Sequence, residues 1–232
     1  MRDVRAELSA YLLESQPLTL DRGRLAAVEQ ELTRVVDSEI HGPVVELGCF
    51  KGGMTAMMRA TLDALGDKDR VIHTYDAFEG IPAAGPHDGD HLKDGDFSAS
   101  VEDVKRLHRR WGLRLPQVHA GWFDVTLPSQ LPEGIAFAYL DADRYSSTLA
   151  ALRAAIPLMS PGGVILLDDY ADAAASRISE TAVAQPLVPG VMRACVEFFG
   201  LPLPLDIVSV GCDWGLGLYR APISSPASGA TG

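Results

Sequence analysis

Two short apolar runs that each end in acidic residues constrain the fold more than any other feature of the chain. They lie in Phe137–Asp143 and Val164–Tyr170, and apolar runs of this length bounded by polar residues are typical of buried strands. Ligands of open α/β sheets bind outside the carboxyl ends of the strands, so both acidic pairs are expected in one crevice. The four acids are Asp141, Asp143, Asp168 and Asp169.

Four carboxylates in one crevice repel one another, and a divalent cation is the simplest compensation. Hard oxygen ligands favour Mg²⁺ or a close relative. The alternative is that some of these Asp residues are helix N-caps. Helix capping requires only one such residue per helix, whereas Asp-x-Asp and Asp-Asp place two acidic residues at each strand end. The sequence therefore predicts a cation site at these two strand ends.

Bulk composition limits the classes of function. A chain of 232 residues with 47% apolar residues fits one larger α/β domain with a full core. The net charge of −11 disfavours nucleic-acid or anionic-membrane partners, because such binding uses basic patches. No secretory signal or membrane span is visible, and the three cysteines have no metal-site spacing. Buried free thiols in a reducing cytoplasm are therefore expected at Cys49, Cys195 and Cys212.

A short strand, a glycine-bearing turn and a helix are predicted from Val44 onward. Gly48 permits a tight turn close to a ligand, and the acid Glu46 precedes it. A dinucleotide pyrophosphate would gain little from a carboxylate at this position. A cofactor with an ammonium and a sulfonium group, such as S-adenosylmethionine, would instead be attracted by Glu46 and by turn carbonyls. An ordinary strand–helix turn is the alternative interpretation.

Two further strand ends provide candidate cofactor contacts. Arg70–Asp76 is the predicted second strand, and Asp76 could accept hydrogen bonds from both ribose hydroxyls, with a helix cap as the alternative. Trp122 follows the third predicted strand and could stack on adenine, although core packing explains it nearly as well. The acidic loop 81–98 is expected to form a flap over the active site.

The remaining elements complete an alternating α/β pattern. Residues 1–40 are predicted as two helices, 3–14 and 21–39 with Asp21 as N-cap, which serve as a lid, a subunit contact or simple packing helices. Residues 171–189 are predicted to be irregular, and the tail 221–232 to be disordered. Further helices are predicted at 54–65, 101–111, 146–159 (capped by Ser146 or Ser147) and 190–199, a turn at 160–163, and an antiparallel hairpin of strands 205–210 and 214–220.

This order of elements resembles the class I S-adenosylmethionine-dependent methyltransferase fold. The resemblance implies a doubly wound, Rossmann-like, mostly parallel seven-stranded sheet with an antiparallel C-terminal hairpin, and a methyltransferase domain over residues 41–220. More narrowly, four segments are similar to the macrocin O-methyltransferase family, whose members are Mg²⁺-dependent enzymes that methylate sugar hydroxyls of natural products. The segments are Tyr75–Pro82, Gly121–Phe123, Leu140–Thr148 and Gly162–Tyr170.

The resemblance also implies roles for individual residues. It implies a general base at Asp143, metal ligation by Asp141, Asp168 and Asp169, and a small-molecule glycoside as acceptor. A homo-oligomer is expected as well. Contacts to S-adenosylmethionine are implied for Glu46, Gly48, Cys49, Asp76, Ala77, Phe78, Trp122 and Asp141.

The main rival within the same fold is a catechol or caffeoyl-coenzyme-A type methyltransferase, which uses a catalytic lysine after the Asp-x-Asp motif. Arg144 stands at that position here, and arginine cannot deprotonate usefully, so it cannot serve as that base. The residues therefore favour the sugar enzymes. Methylation of a non-sugar phenol, diol or carboxylate stays open as the alternative.

Overall fold

Seven strands form one sheet in the computed structural model of the protein, which describes residues 4–179, 181–211 and 213–223. The strands are β1 (Val44–Leu47), β2 (Ile72–Asp76), β3 (Gln117–Ala120), β4 (Ile135–Leu140), β5 (Met159–Asp172), β6 (Asp206–Ser209) and β7 (Trp214–Arg220). Their order is β3-β2-β1-β4-β5-β7-β6, with β1 to β5 parallel and β7 antiparallel to both neighbours. The predicted fold class and its C-terminal hairpin are confirmed.

Helices cover both faces of this sheet. They are α1 (Val4–Ser15), α2 (Arg22–Asp37), α3 (Gly53–Ala64), α4 (Val101–Trp111), α5 (Phe123–Gln130), α6 (Tyr145–Ala155), α7 (Ala173–Ser179) and α8 (Gly190–Phe199), with a short 3₁₀ turn at Ile156–Leu158. Alternate strand residues enter two separate cores: Phe137 packs with α1 to α3, and its neighbour Ala138 packs with α6 and α8. Burial on both faces explains why the parallel strands are continuously apolar.

The strand register brings the predicted acids to one level. Leu47 of β1 pairs with Leu140 of β4, and Leu140 pairs with Leu167 of β5, so the chain positions that follow these residues are neighbours. β1 is hydrogen-bonded to both β2 and β4, which makes this the point where the strand order reverses. Ligand crevices of doubly wound sheets form at such a reversal.

Gly48 allows the ends of β1 and β4 to approach closely. Its φ is 90°, and a Cβ atom there would lie 1.8 Å from the carbonyl oxygen of Asp141. The two ends are joined by the Asp141 amide, which donates to the Leu47 carbonyl at 2.8 Å. A glycine is therefore required both by the backbone conformation and by the space available.

Several predicted boundaries were wrong. β5 does not end at the acids but continues to Asp172, because the irregularity between Leu167 and Ala171 bends the strand without ending its pairing with β7. The predicted turn at 160–163 belongs to the same strand. The segment 171–189, predicted to be irregular, contains α7. The helix α5 was not predicted, since Pro128 lies inside it.

The predicted caps had mixed outcomes. Asp21 caps α2 as predicted, accepting a hydrogen bond from the Arg24 amide at 2.8 Å. Neither Ser146 nor Ser147 caps α6, which begins one residue earlier than predicted, at Tyr145. The Tyr145 amide instead donates to Asp88 at 2.7 Å, so a loop residue distant in sequence takes the place of a local cap.

Two of the three cysteines, Cys49 and Cys195, are buried and free, whereas Cys212 and residues 224–232 of the predicted tail lie outside the described residues. The N-terminal helices α1 and α2 pack on the same core as the sheet. Within the described ranges, no helix has both the length and the apolar character that crossing a membrane requires.

A histidine pair joins β2 to β3 and generates a pH-dependent prediction. His73 Nδ1 lies 3.1 Å from His119 Nε2, and burial together with the neighbouring His119 lowers the pKa of His73. The unfolded chain then binds a proton at this position more readily than the folded protein does. Stability is therefore lost as the pH falls from about 6.5 through the lowered pKa of His73.

We expect His73→Asn to reduce the loss of thermal stability between pH 7.5 and pH 5.5. Asparagine keeps a polar group beside His119 but cannot be protonated in this range. Buried His108, whose pKa is also lowered by burial, is present in both the wild type and the variant. The contribution of the His73–His119 pair is therefore the difference between their two pH profiles. The exposed residue His41 provides the control substitution, His41→Asn. An unchanged pH profile in the His73 variant would contradict the prediction.

Candidate active site

A cavity of about 700 Å³ opens at the carboxyl ends of the central strands. Its walls come from the α1–α2 connection, the turn after β1, the ends of β2 and β4, the loop after β2, and β5. Of the predicted site residues, only Phe78 does not line it. Those that do are Glu46, Gly48, Cys49, Asp76, Ala77, Trp122, Asp141, Asp143, Asp168 and Asp169.

Three of the four predicted acids form a compact cluster. Asp141, Asp143 and Asp169 each offer one carboxylate oxygen, and these oxygens all lie within 4.8 Å of one another. Burial and the nearby charge of Asp168 raise the pKa of Asp141 and of Asp169 well above the usual range. The same two causes raise the pKa of Asp143 to about 7. Carboxylates that resist ionisation in this way are stabilised by a cation, so the cluster fits a hard metal ion.

The backbone holds two of these acids in an unusual conformation. Asp143 has a φ of 56° and Asp169 a φ of 55°, both in the left-handed region. The Arg144 amide donates to the Ala142 carbonyl at 2.5 Å, which closes a three-residue turn around Asp143. Aspartate and asparagine tolerate this region better than most residues. Such strain at two neighbouring carboxylates is typical of functional sites.

Asp168 lies beside the cluster and is held by other groups. Arg24 Nε donates to both of its carboxylate oxygens, at 2.9 and 2.8 Å, and the Tyr139 hydroxyl donates to it at 2.5 Å. Arg24 Nη2 also reaches Asp169 at 3.0 Å. The structure thus brings all four acids into one cavity but groups Asp143, rather than Asp168, with Asp141 and Asp169. The predicted division into three ligands and one base stays a prediction.

Glu46, predicted to attract an ammonium group, is almost completely buried behind the turn after β1. Its carboxylate accepts hydrogen bonds from the hydroxyls of Thr55 and Thr74, the latter at 3.2 Å. Burial raises the pKa of Glu46 to about 8, so a proton is favoured over a negative charge near neutral pH. The sequence does not identify these two threonines, which lie on α3 and β2. Hydroxyl groups that donate to a buried acid have no characteristic sequence separation from it.

Asp76 organises the turn after β1 and the start of the following loop. Its Oδ2 accepts hydrogen bonds from the amides of Cys49 and Phe50 at 2.9 and 2.8 Å. Its Oδ1 accepts one from the amide of Phe78 at 2.7 Å. Phe78 therefore contributes its backbone to the site, although it does not line the cavity. The ribose contact predicted for Asp76 stays a prediction.

Arg144 fastens the loop that follows β2 over the site. The side chain is 1% exposed, and it donates to the carbonyls of Pro82, Gly89 and Leu92 at 3.1, 3.3 and 2.9 Å. Residues of this loop line the cavity: Gly80, Ile81, Pro82, His91, Leu92, Asp96 and Phe97. The sequence indicates only that Arg144 cannot be the base, whereas its contacts in the structure give it a structural role.

Replacing Arg144 by lysine should loosen this loop. A single ammonium cannot reproduce three hydrogen bonds made by a planar guanidinium fork, and each bond from a charged donor contributes roughly 1.5–3 kcal/mol. We expect amide hydrogen exchange in residues 82–92 to accelerate at least about tenfold, with no change in α3. Arg153→Lys is the matched control, because Arg153 lies in α6, the helix that Arg144 immediately precedes, but is exposed. Unchanged loop protection would contradict the role assigned to Arg144.

Comparison with known proteins adds an independent line of evidence. The macrocin-O-methyltransferase (TylF) family matches residues 18–185. The 8-demethyl-8-(2,3-dimethoxy-alpha-L-rhamnosyl)-tetracenomycin-C 4'-O-methyltransferase of Streptomyces olivaceus is 37% identical over 157 residues, 64% of this chain and 60% of that protein. The demethyldecarbamoylnovobiocin O-methyltransferase of Streptomyces niveus is 34% identical over 156 residues, 63% of this chain and 60% of that protein. The chain thus spans about 60% of the length of these curated relatives.

Solved structures resemble the whole fold. The O-methyltransferase NovP has a TM-score of 0.70 and 25% identity, covering 86% of this chain and 80% of its own. The calicheamicin methyltransferase CalS11 has a TM-score of 0.67 and 20% identity, covering 94% of this chain and 91% of its own. At 20% identity, the similarity to CalS11 is evidence for the fold alone.

Proposed function

The chain belongs to the macrocin O-methyltransferase family, and we propose that it transfers the methyl group of S-adenosylmethionine to a hydroxyl of a natural-product sugar with the help of a divalent cation. The observation that carries the proposal is the set of four carboxylates in one cavity, one buried and three half-buried, beside a glycine turn that suits a methyl donor. The relative from Streptomyces olivaceus, whose name specifies a rhamnosyl-tetracenomycin, supports a sugar hydroxyl as the acceptor.

The cation would be held by Asp141, Asp168 and Asp169, as expected from the family motif. When bound, it lowers the pKa of a coordinated hydroxyl and neutralises the crowded carboxylates. The methyl donor would lie against the turn after β1, between Asp76 and Trp122. A cavity of about 700 Å³ has room for the donor together with part of an acceptor.

Asp143 is the proposed general base. Its carboxylate lies in one cluster with the proposed ligands Asp141 and Asp169, which would put a proton acceptor next to a hydroxyl held at the cation. As the acceptor oxygen forms its bond to the methyl carbon, the carbon–sulfur bond breaks and the donor leaves as a neutral thioether. Asp143 takes the proton that the hydroxyl loses. The three-residue turn around Asp143 holds the backbone that carries this carboxylate.

Residues 1–40 are proposed to cover the acceptor site above the methyltransferase domain at 41–220. The support for this is that Gln16 to Asp21, together with Arg24, contribute to the cavity wall. A homo-oligomeric state stays a prediction. The proposed acceptor is a small glycoside.

Removal of divalent cations should abolish methyl transfer. After exhaustive EDTA treatment we expect the rate to fall at least about a hundredfold, because several kcal/mol of charge stabilisation are lost, and Mg²⁺ should restore it. The measurement is methylation of demethylated glycosides, monitored by intact mass. Parallel assays with phenols and non-sugar diols test the alternative acceptor class. Full activity in EDTA would eliminate the metal-assisted mechanism.

Asp143→Asn should separate the base from the metal ligands. We expect kcat to fall about 10²- to 10⁴-fold, while the affinities for S-adenosylmethionine and Mn²⁺ change by less than about fivefold. Asparagine is the appropriate substitution because it tolerates the left-handed backbone at this position. Asp69→Asn, at an exposed site, is the control. A wild-type kcat would exclude Asp143 as the base, and a large loss of Mn²⁺ affinity would make it a ligand.

A further inference from the structure

An arginine from the N-terminal helices occupies the acidic site. The Arg24 guanidinium bridges the adjacent carboxylates Asp168 and Asp169, with nitrogen–oxygen distances of 2.8 to 3.0 Å. The side chain of Arg24 is 12% exposed, and that of Asp168 is 4% exposed. This is a buried, multidentate ion pair between segments that are 144 residues apart in the chain.

The bridged carboxylates are two of the three that are proposed to hold the divalent cation. A guanidinium and a divalent cation that share the same two carboxylates repel each other, and both gain from the same negative charge. The lone pairs of Asp168 are already engaged by Arg24, by the Tyr139 hydroxyl and by the Asp169 amide. A cation therefore gains full use of Asp168 only when Arg24 withdraws.

Arg24 also contacts two groups outside the acid pair. A further hydrogen bond runs from its Nη1 to Asp21, whose side chain is 39% exposed, and its guanidinium carbon lies 5.1 Å from the centre of the Trp214 ring. Asp21 and Trp214 both line the cavity. The side chain can give up Asp168 and Asp169 while it keeps a carboxylate and an aromatic partner, so its release does not require α2 to move.

We propose that Arg24 competes with the divalent cation for Asp168 and Asp169, and so acts as a positioning residue that sets the cation affinity of the site. This inference rests on the proposed metal-assisted function. Arg24 neutralises the acid pair when no cation is bound, and it keeps only Asp21 and Trp214 as partners when one binds. The N-terminal segment that lines the acceptor side of the cavity is thereby coupled to occupancy of the cation site.

The test is the affinity for Mn²⁺, measured by calorimetric titration of the full chain in the absence of acceptor. Arg24→Gln removes the competing charge, and we expect it to bind Mn²⁺ at least about tenfold more tightly than the wild type, a factor that corresponds to one charge-assisted hydrogen bond. Arg24→Lys, which keeps a charge but not the bridging fork, should fall between the two. Arg34→Gln is the matched control, since Arg34 pairs with Glu31 on the same helix and does not line the cavity.

Equal or weaker Mn²⁺ affinity in Arg24→Gln overturns the proposal, because Arg24 would then support the site rather than compete for it. Where Arg24→Gln does not fold, Arg24→Lys decides by the same criterion. Absence of Mn²⁺ binding in wild type and variant alike also overturns it. This test is independent of the proposed enzymatic function. Tighter Mn²⁺ binding by Arg24→Gln supports the competition even where no sugar is methylated.

Discussion

The site depends on the mutual repulsion of carboxylates that the fold brings together in one cavity. Two of the four acids follow β4 and two lie within β5, and apolar pairs fix the register of these neighbouring strands, so the sheet cannot separate the acids without disrupting both cores. Burial and the charge of Asp168 raise the pKa values of Asp141, Asp143 and Asp169, which is the electrostatic cost of this arrangement. Positive charge must be supplied from outside the sheet, and the described residues supply it through Arg24, which comes from the helices that precede the first strand.

The close approach of β1 and β4 is the second constraint. It requires Gly48, and the turn that Gly48 begins is held by Asp76, which accepts both of the following amides. An acid at the end of one strand thus organises the turn after its neighbour. Glu46 has a comparable structural role, since it joins α3 to β2 through two threonine hydroxyls. Residues whose types suggest ligand contacts therefore also support the architecture of the site.

The sheet, its order reversal and the positions of the acids could be predicted because they follow from local patterns: apolar runs, glycine turns and the acids that follow them. Contacts between distant segments could not. Arg24 lies on a helix whose periodicity indicates only packing, and nothing in the local sequence shows that its side chain reaches Asp168. The helix α5 was missed because Pro128 is a breaker by propensity, and the extent of β5 because its bulge resembles a strand end.

Asp143 and Arg144 show how one turn divides neighbouring residues between two functions. The left-handed conformation of Asp143 reverses the chain within three residues, and Asp143 lines the cavity while Arg144 lies beneath the loop after β2. The loop in turn supplies Asp88 to the first amide of α6, so the helix that follows the acids is capped by the segment that Arg144 holds. Loop position, helix start and carboxylate orientation are therefore linked through adjacent residues. A change in the loop after β2 would act directly on the backbone that carries Asp143. The position of the loop over the cavity is therefore coupled to the geometry of the acid cluster.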